Sequence, residues 1–343
     1  MKKAVINLAK IAISVALLSF LAWQGYQALR QDPEAFDKII HQAKDWRLLI
    51  GALVITLVAV VLTFCRWYLL VRALGLPFTL REAIRLGFVG YLLNFTLSVV
   101  GGDVIKSVAI AHRQPGRRTA AVATVVVDRI IGLYALFVVG AVASLFMPFD
   151  RLSGEQAAAA LRVCQMTQIL TIVGAIGFAL VLLPGLTTLP LWEALGRIPK
   201  VGPAITAAMD SIRMYRRQPG LLALTLGISI GTHSMYAVAI YLLARAFQGE
   251  DPSLAANFII APIAMVGKAA PLPGGLGAFE GAFAYMYQAL SPPGVYRVQG
   301  LVIALAFRVC ELAVAFTGGV YYIVDRQQVR VLLEEAKQEP ATV

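Results

Sequence analysis

Residues 271–280 read PLPGGLGAFE, two prolines and three glycines set in otherwise apolar sequence. Proline removes a backbone donor and clashes with the preceding turn, and glycine loosens the chain, so no helix continues through this stretch. In hydrocarbon a broken backbone survives only where protein or water satisfies the polar groups it frees. The stretch is therefore expected to line a cavity at membrane depth.

The surrounding composition sets that depth. Of 343 residues, 59% are hydrophobic and 14% charged, and the mean hydropathy is +0.75, far from a soluble globular domain. Apolar windows of the roughly 20 residues that cross a bilayer fall at 4–29, 49–70, 120–146, 165–183, 221–243 and 301–324. An all-α polytopic membrane protein with six full spans is expected. Lys2 and Lys3 precede the first window, but no small-x-small cleavage site closes it, so an uncleaved first helix is expected. Cys65, Cys164 and Cys310 lie in or beside spans without metal-ligand spacing, and His41, His112 and His233 are scattered singly. Neither a metal site nor a catalytic constellation nor a cofactor motif is read. The net charge of +11 follows the loops and forms no basic domain. It points to topology and anionic lipid rather than to nucleic acid.

Arg72, Arg81 and Arg85 face only Glu82, and Arg113, Arg117 and Arg118 have no acid nearby. Both sets belong on the cytoplasmic side by the positive-inside bias. The apolar segment between them is thus expected to enter and leave by one face, a re-entrant hairpin broken at Val100-Gly101-Gly102-Asp103. The stretch 191–220 reads as an interfacial cytoplasmic segment. By the same logic residues 254–290, broken at 271–280, form a second hairpin from the opposite face, with Glu250 and Arg297 both outside. Helix, helix, hairpin, helix is then repeated upside down, an architecture recurrent in transporters. We read one integral membrane domain, with pseudo-repeats at about 1–147 and 161–327, a tail at 328–343, and both termini cytoplasmic in an inner (plasma) membrane. Whether it forms a homo-oligomer is left open.

Each half offers a carboxylate and an arginine: Asp103 with Arg129, and Glu280 with Arg308. Ionisable groups at such depth are expensive unless paired or hydrated. Lys106 and Lys268 add a cation to each hairpin. Two half-helix N-termini with these four cations make a site for phosphate or an anionic headgroup. The plainer alternative has Asp103 as a helix N-cap, Glu280 as a first-turn acid, and the arginines paired with Asp128 and Glu311. Arg66, near the inner end of its span, is expected to snorkel. Asn94, Gly101, Gly102, Pro273, Gly274, Gly275 and Gly277 complete the expected translocation path.

These residues resemble the flippase-like transmembrane family defined by the membrane domain of bifunctional lysylphosphatidylglycerol synthases, the multiple peptide resistance factors. The resemblance rests on Arg66-Trp67 with Leu74-Gly75-Leu76-Pro77, on Asn94 with Gly101-Gly102-Asp103 and Lys106, and on Asp128-Arg129 with Gly132. It continues through Pro273-Gly274-Gly275-Leu276-Gly277 with Glu280, and Arg308 with Gly318-Gly319. Leu97 and Ser98 stand where the family usually has a proline, and Lys106 where it has an arginine. The resemblance implies lipid translocation without the soluble aminoacyl-transfer domain, hence a transporter rather than an enzyme. The expected cargo is a phosphate-bearing lipid, either a phospholipid or a polyprenyl-phosphate carrier. The alternatives are an accessory subunit for a lipid-modifying enzyme, or a membrane lipid transferase or phosphatase.

Overall fold

The computed structural model describes residues 41–96, 101–113, 117–182, 190–198, 202–247, 252–269, 277–292 and 297–324, with Gly275 and the single positions Ser19, Trp23, Tyr26 and Arg30. Eleven α-helices have defined bounds among them. They are α1 (Trp46–Ala73), α2 (Leu80–Thr96), α3 (Gly101–Arg113), α4 (Arg118–Ser144), α5 (Gly154–Leu182), α6 (Pro190–Gly196), α7 (Gly202–Tyr215), α8 (Pro219–Ala246), α9 (Leu254–Val266), α10 (Ala278–Ala289) and α11 (Arg297–Val324). Five of them, α1, α4, α5, α8 and α11, are long and apolar enough to cross a membrane. The expected first span at 4–29 lies almost wholly outside the described residues, as do Glu250, Pro273, Gly274 and the tail at 328–343.

Local sequence explains the starts of these helices. Asp45 caps α1 by accepting the Arg47 N–H at 2.9 Å. Thr79 and Glu82 open α2 with a reciprocal capping box, the Glu82 carboxylate taking the Thr79 N–H at 2.8 Å and the Thr79 hydroxyl the Glu82 N–H at 3.3 Å. Ser253 caps α9 through the Ala256 N–H, and Pro219 sits at the first position of α8, where its missing donor costs nothing. The shared core under the second hairpin is built from Ala237, Ile240, Ile260, Phe279, Phe283 and Phe307. Alanines recur in it because lipid tails are as apolar as side chains, so helices associate through close packing rather than water exclusion. Outward, α1 shows Ile50, Val54 and Val58 and α5 shows Ile169, Ile172 and Ile176, which suits faces turned to lipid.

Named contacts fix the directions of α1, α8 and the two broken segments. The start of α1 meets the end of α8, where the Asp45 N–H donates to the Ala246 carbonyl. The end of α1 meets the start of α8, where Gln218 Nε2 donates to the Ala73 carbonyl and the Tyr215 hydroxyl to Leu70. These two helices are therefore antiparallel. At the Ala73 end, Arg117 donates to the carbonyls of Leu74 and Gly75, so α2 starts and α3 returns on one side. At the Asp45 end, Gln156 of α5 donates to the Gln288 carbonyl, so α9 starts and α10 returns on the other. The two broken segments are hairpins entered from opposite ends, as the charge pattern implies.

The packing pairs correspond between the halves. α2 lies on α11 as α9 lies on α4, α1 on α2 as α8 on α9, and α3 on α4 as α10 on α11. The break in the first hairpin comes earlier in the chain than expected. Gly101 and Gly102 already belong to α3, and residues 97–100 between it and α2 lie outside the described residues. Gly102 instead allows close approach: a Cβ there would collide with the Gly90 carbonyl of α2. In the second hairpin a Cβ on Gly267 would come within 2.9 Å of the Ala278 carbonyl oxygen.

Cysteines placed at Arg85 and Arg117, in a background freed of the three native cysteines, are expected to react with an impermeant thiol reagent from one face, and a cysteine at Arg297 from the other. The geometry above puts the first two at the Ala73 end and the third at the Asp45 end. Labelling of Arg117→Cys and Arg297→Cys from the same face would rule out this arrangement.

Candidate functional site

A cavity of about 350 Å³ lies where the two hairpins meet. Its wall carries Arg66, Asp103, Lys106, Asp128, Arg129, His233, Lys268 and Glu311, drawn from helices of both halves, with Tyr91, Asn94 and Tyr236 between them.

The first hairpin supplies one charged group. Asp103 stands in the first turn of α3, where the helix dipole favours an anion. It accepts from Arg129 Nε at 2.5 Å, and Lys106 Nζ lies 3.9 Å from its other oxygen. Lys106 is buried over the Trp67 ring at 5.1 Å, a cation–π contact that offsets its desolvation. Asn94 Oδ1 accepts the Gly102 N–H at 3.0 Å, satisfying one of the donors a helix start leaves open.

The second hairpin supplies its counterpart with a different degree of burial. Glu280 is fully buried, and its carboxylate takes the Gly277 N–H at 2.7 Å and Arg308 Nε at 2.8 Å. Arg308 also lies 3.4 Å from Glu311, and Glu311 receives Lys268 Nζ at 2.6 Å and the Tyr91 hydroxyl at 3.3 Å. Lys268 sits over the rings of Phe279 and Phe307, at 4.5 and 4.9 Å. Arg308 is thus behind the cavity wall, whereas Arg129, recessed in the cavity, keeps 48% of its side chain exposed.

Two sequence expectations change here. Arg66 does not snorkel; it is buried, with Nε 2.8 Å from Asp128 and Nη1 donating to the Ser229 hydroxyl at 2.6 Å. Arg66 lies seven residues inside the end of α1, about 10 Å at 1.5 Å per residue, deep enough to require a counter-ion. Asp128 accordingly pairs with Arg66, and Arg129 with Asp103, while the pairing of Arg308 with Glu311 occurs beside its contact with Glu280. His233 stands singly in the sequence, yet its Nε2 lies 3.1 Å from the Gly132 carbonyl and its ring lines the cavity. Only its position inside an apolar span could have marked it. Among the described residues, no group of three or more His, Cys, Asp or Glu could hold a metal ion.

Of the glycine knot, Gly275 and Gly277 are described, and contrary to expectation neither is in the cavity wall; Gly275 stands behind Lys268. Gly275 and Gly277 have φ of +64° and +84°, the left-handed region that favours glycine. A Cβ on Gly275 would also stand 2.5 Å from Lys268 Cα, so the knot and the lysine fit only without a side chain. Gly275→Ala is expected to lower thermal stability by more than about 1 kcal/mol. Gly281→Ala, in open space on α10, should instead raise it slightly. Equal melting of the two variants, followed by intrinsic fluorescence in detergent, would contradict a strained turn.

A family model described as the lysylphosphatidylglycerol synthase TM region matches residues 7–319. The chain belongs to this family. No curated protein matches it. The lysylphosphatidylglycerol synthase membrane region is thus represented by nearly the whole chain, including both hairpins and every charged group of the cavity. With its spanning helices, membership makes this a multi-pass membrane protein of a family related to lipid modification.

Proposed function

We propose that the protein moves a phospholipid with a single negative headgroup charge between leaflets. The observation that carries this reading is the charge of the cavity wall. Arg66, Lys106, Arg129 and Lys268 face Asp103, Asp128 and Glu311, four cations against three carboxylates, an excess of one positive charge. One phosphodiester would neutralise it. A phosphate could take up the exposed side of the Arg129 guanidinium in the bidentate manner open to arginine, while the buried pairs keep the other charges compensated. The hairpins, entered from opposite ends, would form the two sides of the path, with acyl chains left outside in lipid. The arginine-rich Ala73 end is assigned to the cytoplasm of a cell inner membrane by the positive-inside bias. No chemical step is assigned to the site, and the protein is read as a transporter rather than an enzyme.

The test is reconstitution in vesicles containing trace fluorescent phosphatidylglycerol or phosphatidylcholine, with dithionite added to quench the outer leaflet. Faster exchange of phosphatidylglycerol than in protein-free vesicles, with little effect on phosphatidylcholine, is expected. Equal and unaccelerated exchange of both lipids would defeat the proposal.

A further inference from the structure

A second cavity, about 370 Å³, lies on the other side of α4. It is apolar, walled by Ile130, Tyr134 and Phe137 of α4 and by Val173, Gly177 and Phe178 of α5. Its volume falls in the range of roughly 300–1,000 Å³ typical of ligand pockets. Tyr134 and Phe178 stack within it at 6.2 Å and nearly parallel. Glycine on α5 keeps it open: Gly177 has nothing within 4 Å of where a Cβ would stand.

Its relation to the charged cavity gives it an occupant. Leu133 belongs to the walls of both cavities and is 47% exposed, one helical turn beyond Arg129 on the same face of α4. Leu133 is therefore a wall that the two spaces share, one turn from Arg129. They also lie at one depth, because the apolar cavity follows α4 from Val127 to Phe137, roughly 15 Å at 1.5 Å per residue. A lipid whose headgroup has reached mid-membrane must lay at least one chain alongside it at that depth.

We infer that the α4–α5 cleft is the seat of one acyl chain of the glycerophospholipid whose headgroup occupies the charged cavity. This rests on the proposed function and adds to it a second point of recognition. In lipid an apolar cleft alone gains little, since bulk tails are equally apolar. Tethering through the headgroup makes chain insertion intramolecular, so the seat should fill preferentially with anionic lipid. A polyprenyl chain or a bulk neutral lipid in the cleft is the competing occupant.

The test uses the full chain in phosphatidylcholine nanodiscs with trace phosphatidylglycerol, or trace phosphatidylcholine, each carrying a diazirine in one acyl chain. Phosphatidylglycerol should label α4 and α5 about fivefold more than phosphatidylcholine does, as tethering requires. Gly177→Leu, which fills the cleft, should abolish that labelling, while Gly227→Leu, the same change in open space on α8, should leave it intact. Equal labelling by the two lipids, labelling that survives Gly177→Leu, or displacement by polyprenyl phosphate but not by phosphatidylglycerol would each overturn the seat. Preferential labelling without leaflet exchange in the vesicle assay would keep the seat and remove the transport reading.

Discussion

Arg308→Ala is expected to cost the protein its fold before it costs any activity. Its guanidinium is the cation in contact with Glu280, a carboxylate with no exposed surface. Glu311 would keep Lys268 at 2.6 Å, but Glu280 would keep the Gly277 N–H as the hydrogen bond described for it. Breaking a buried pair by removing one partner costs about 3–5 kcal/mol, because the remaining charge is neither hydrated nor compensated. That is a large share of the 5–15 kcal/mol by which folded proteins are typically stable. Low yield of monodisperse protein and a strongly lowered melting temperature should result. The double variant Glu280→Gln, Arg308→Met should recover much of the loss, since replacing both charges removes the imbalance. Wild-type melting of Arg308→Ala would show that water reaches Glu280.

Arg129→Ala, at the equivalent place in the first half, is expected to leave the protein folded and stop phosphatidylglycerol exchange. The Arg129 side chain lines the cavity and is 48% exposed, and Lys106 stays near Asp103 when it is removed. Ion pairs with such exposure contribute no more than about 1 kcal/mol, so melting should change little. Exchange should fall at least about tenfold, the effect of losing a charge-assisted contact of roughly 1.4 kcal/mol or more. Arg129→Lys should rescue part of it, because an ammonium keeps the charge but not the planar fork. Unaltered exchange by a folded Arg129→Ala would remove the arginine from the path.

The two arginines were equivalent in sequence and are not equivalent in space. Helix-breaking residues and loop charges carried the hairpins, because both act within a few residues of where they stand. The similar spacing in the two halves marks a carboxylate and an arginine in each, but leaves open whether the arginines meet Asp103 and Glu280 or Asp128 and Glu311. The Arg66–Asp128 pair could not be read, because it joins helices 62 residues apart and nothing local says which span neighbours which. The same holds for Lys268 and Glu311, 43 residues apart. The first turn was misplaced by a few residues because glycine serves two purposes. At 101–102 it begins a helix and lets another backbone approach, whereas at 275 and 277 it bends the chain.

That close approach has a mechanical consequence. Gly102 meets the Gly90 carbonyl and Gly267 meets Ala278 with no side chain between, so each hairpin has one point where its two arms touch backbone to backbone. Adjustable side chains are what allow packed helices to slide past one another by small steps. At these points the arms resist sliding, which favours movement of each hairpin as a unit. A rearrangement is then expected to tilt a whole hairpin against α4 or α11, the helices on which they pack.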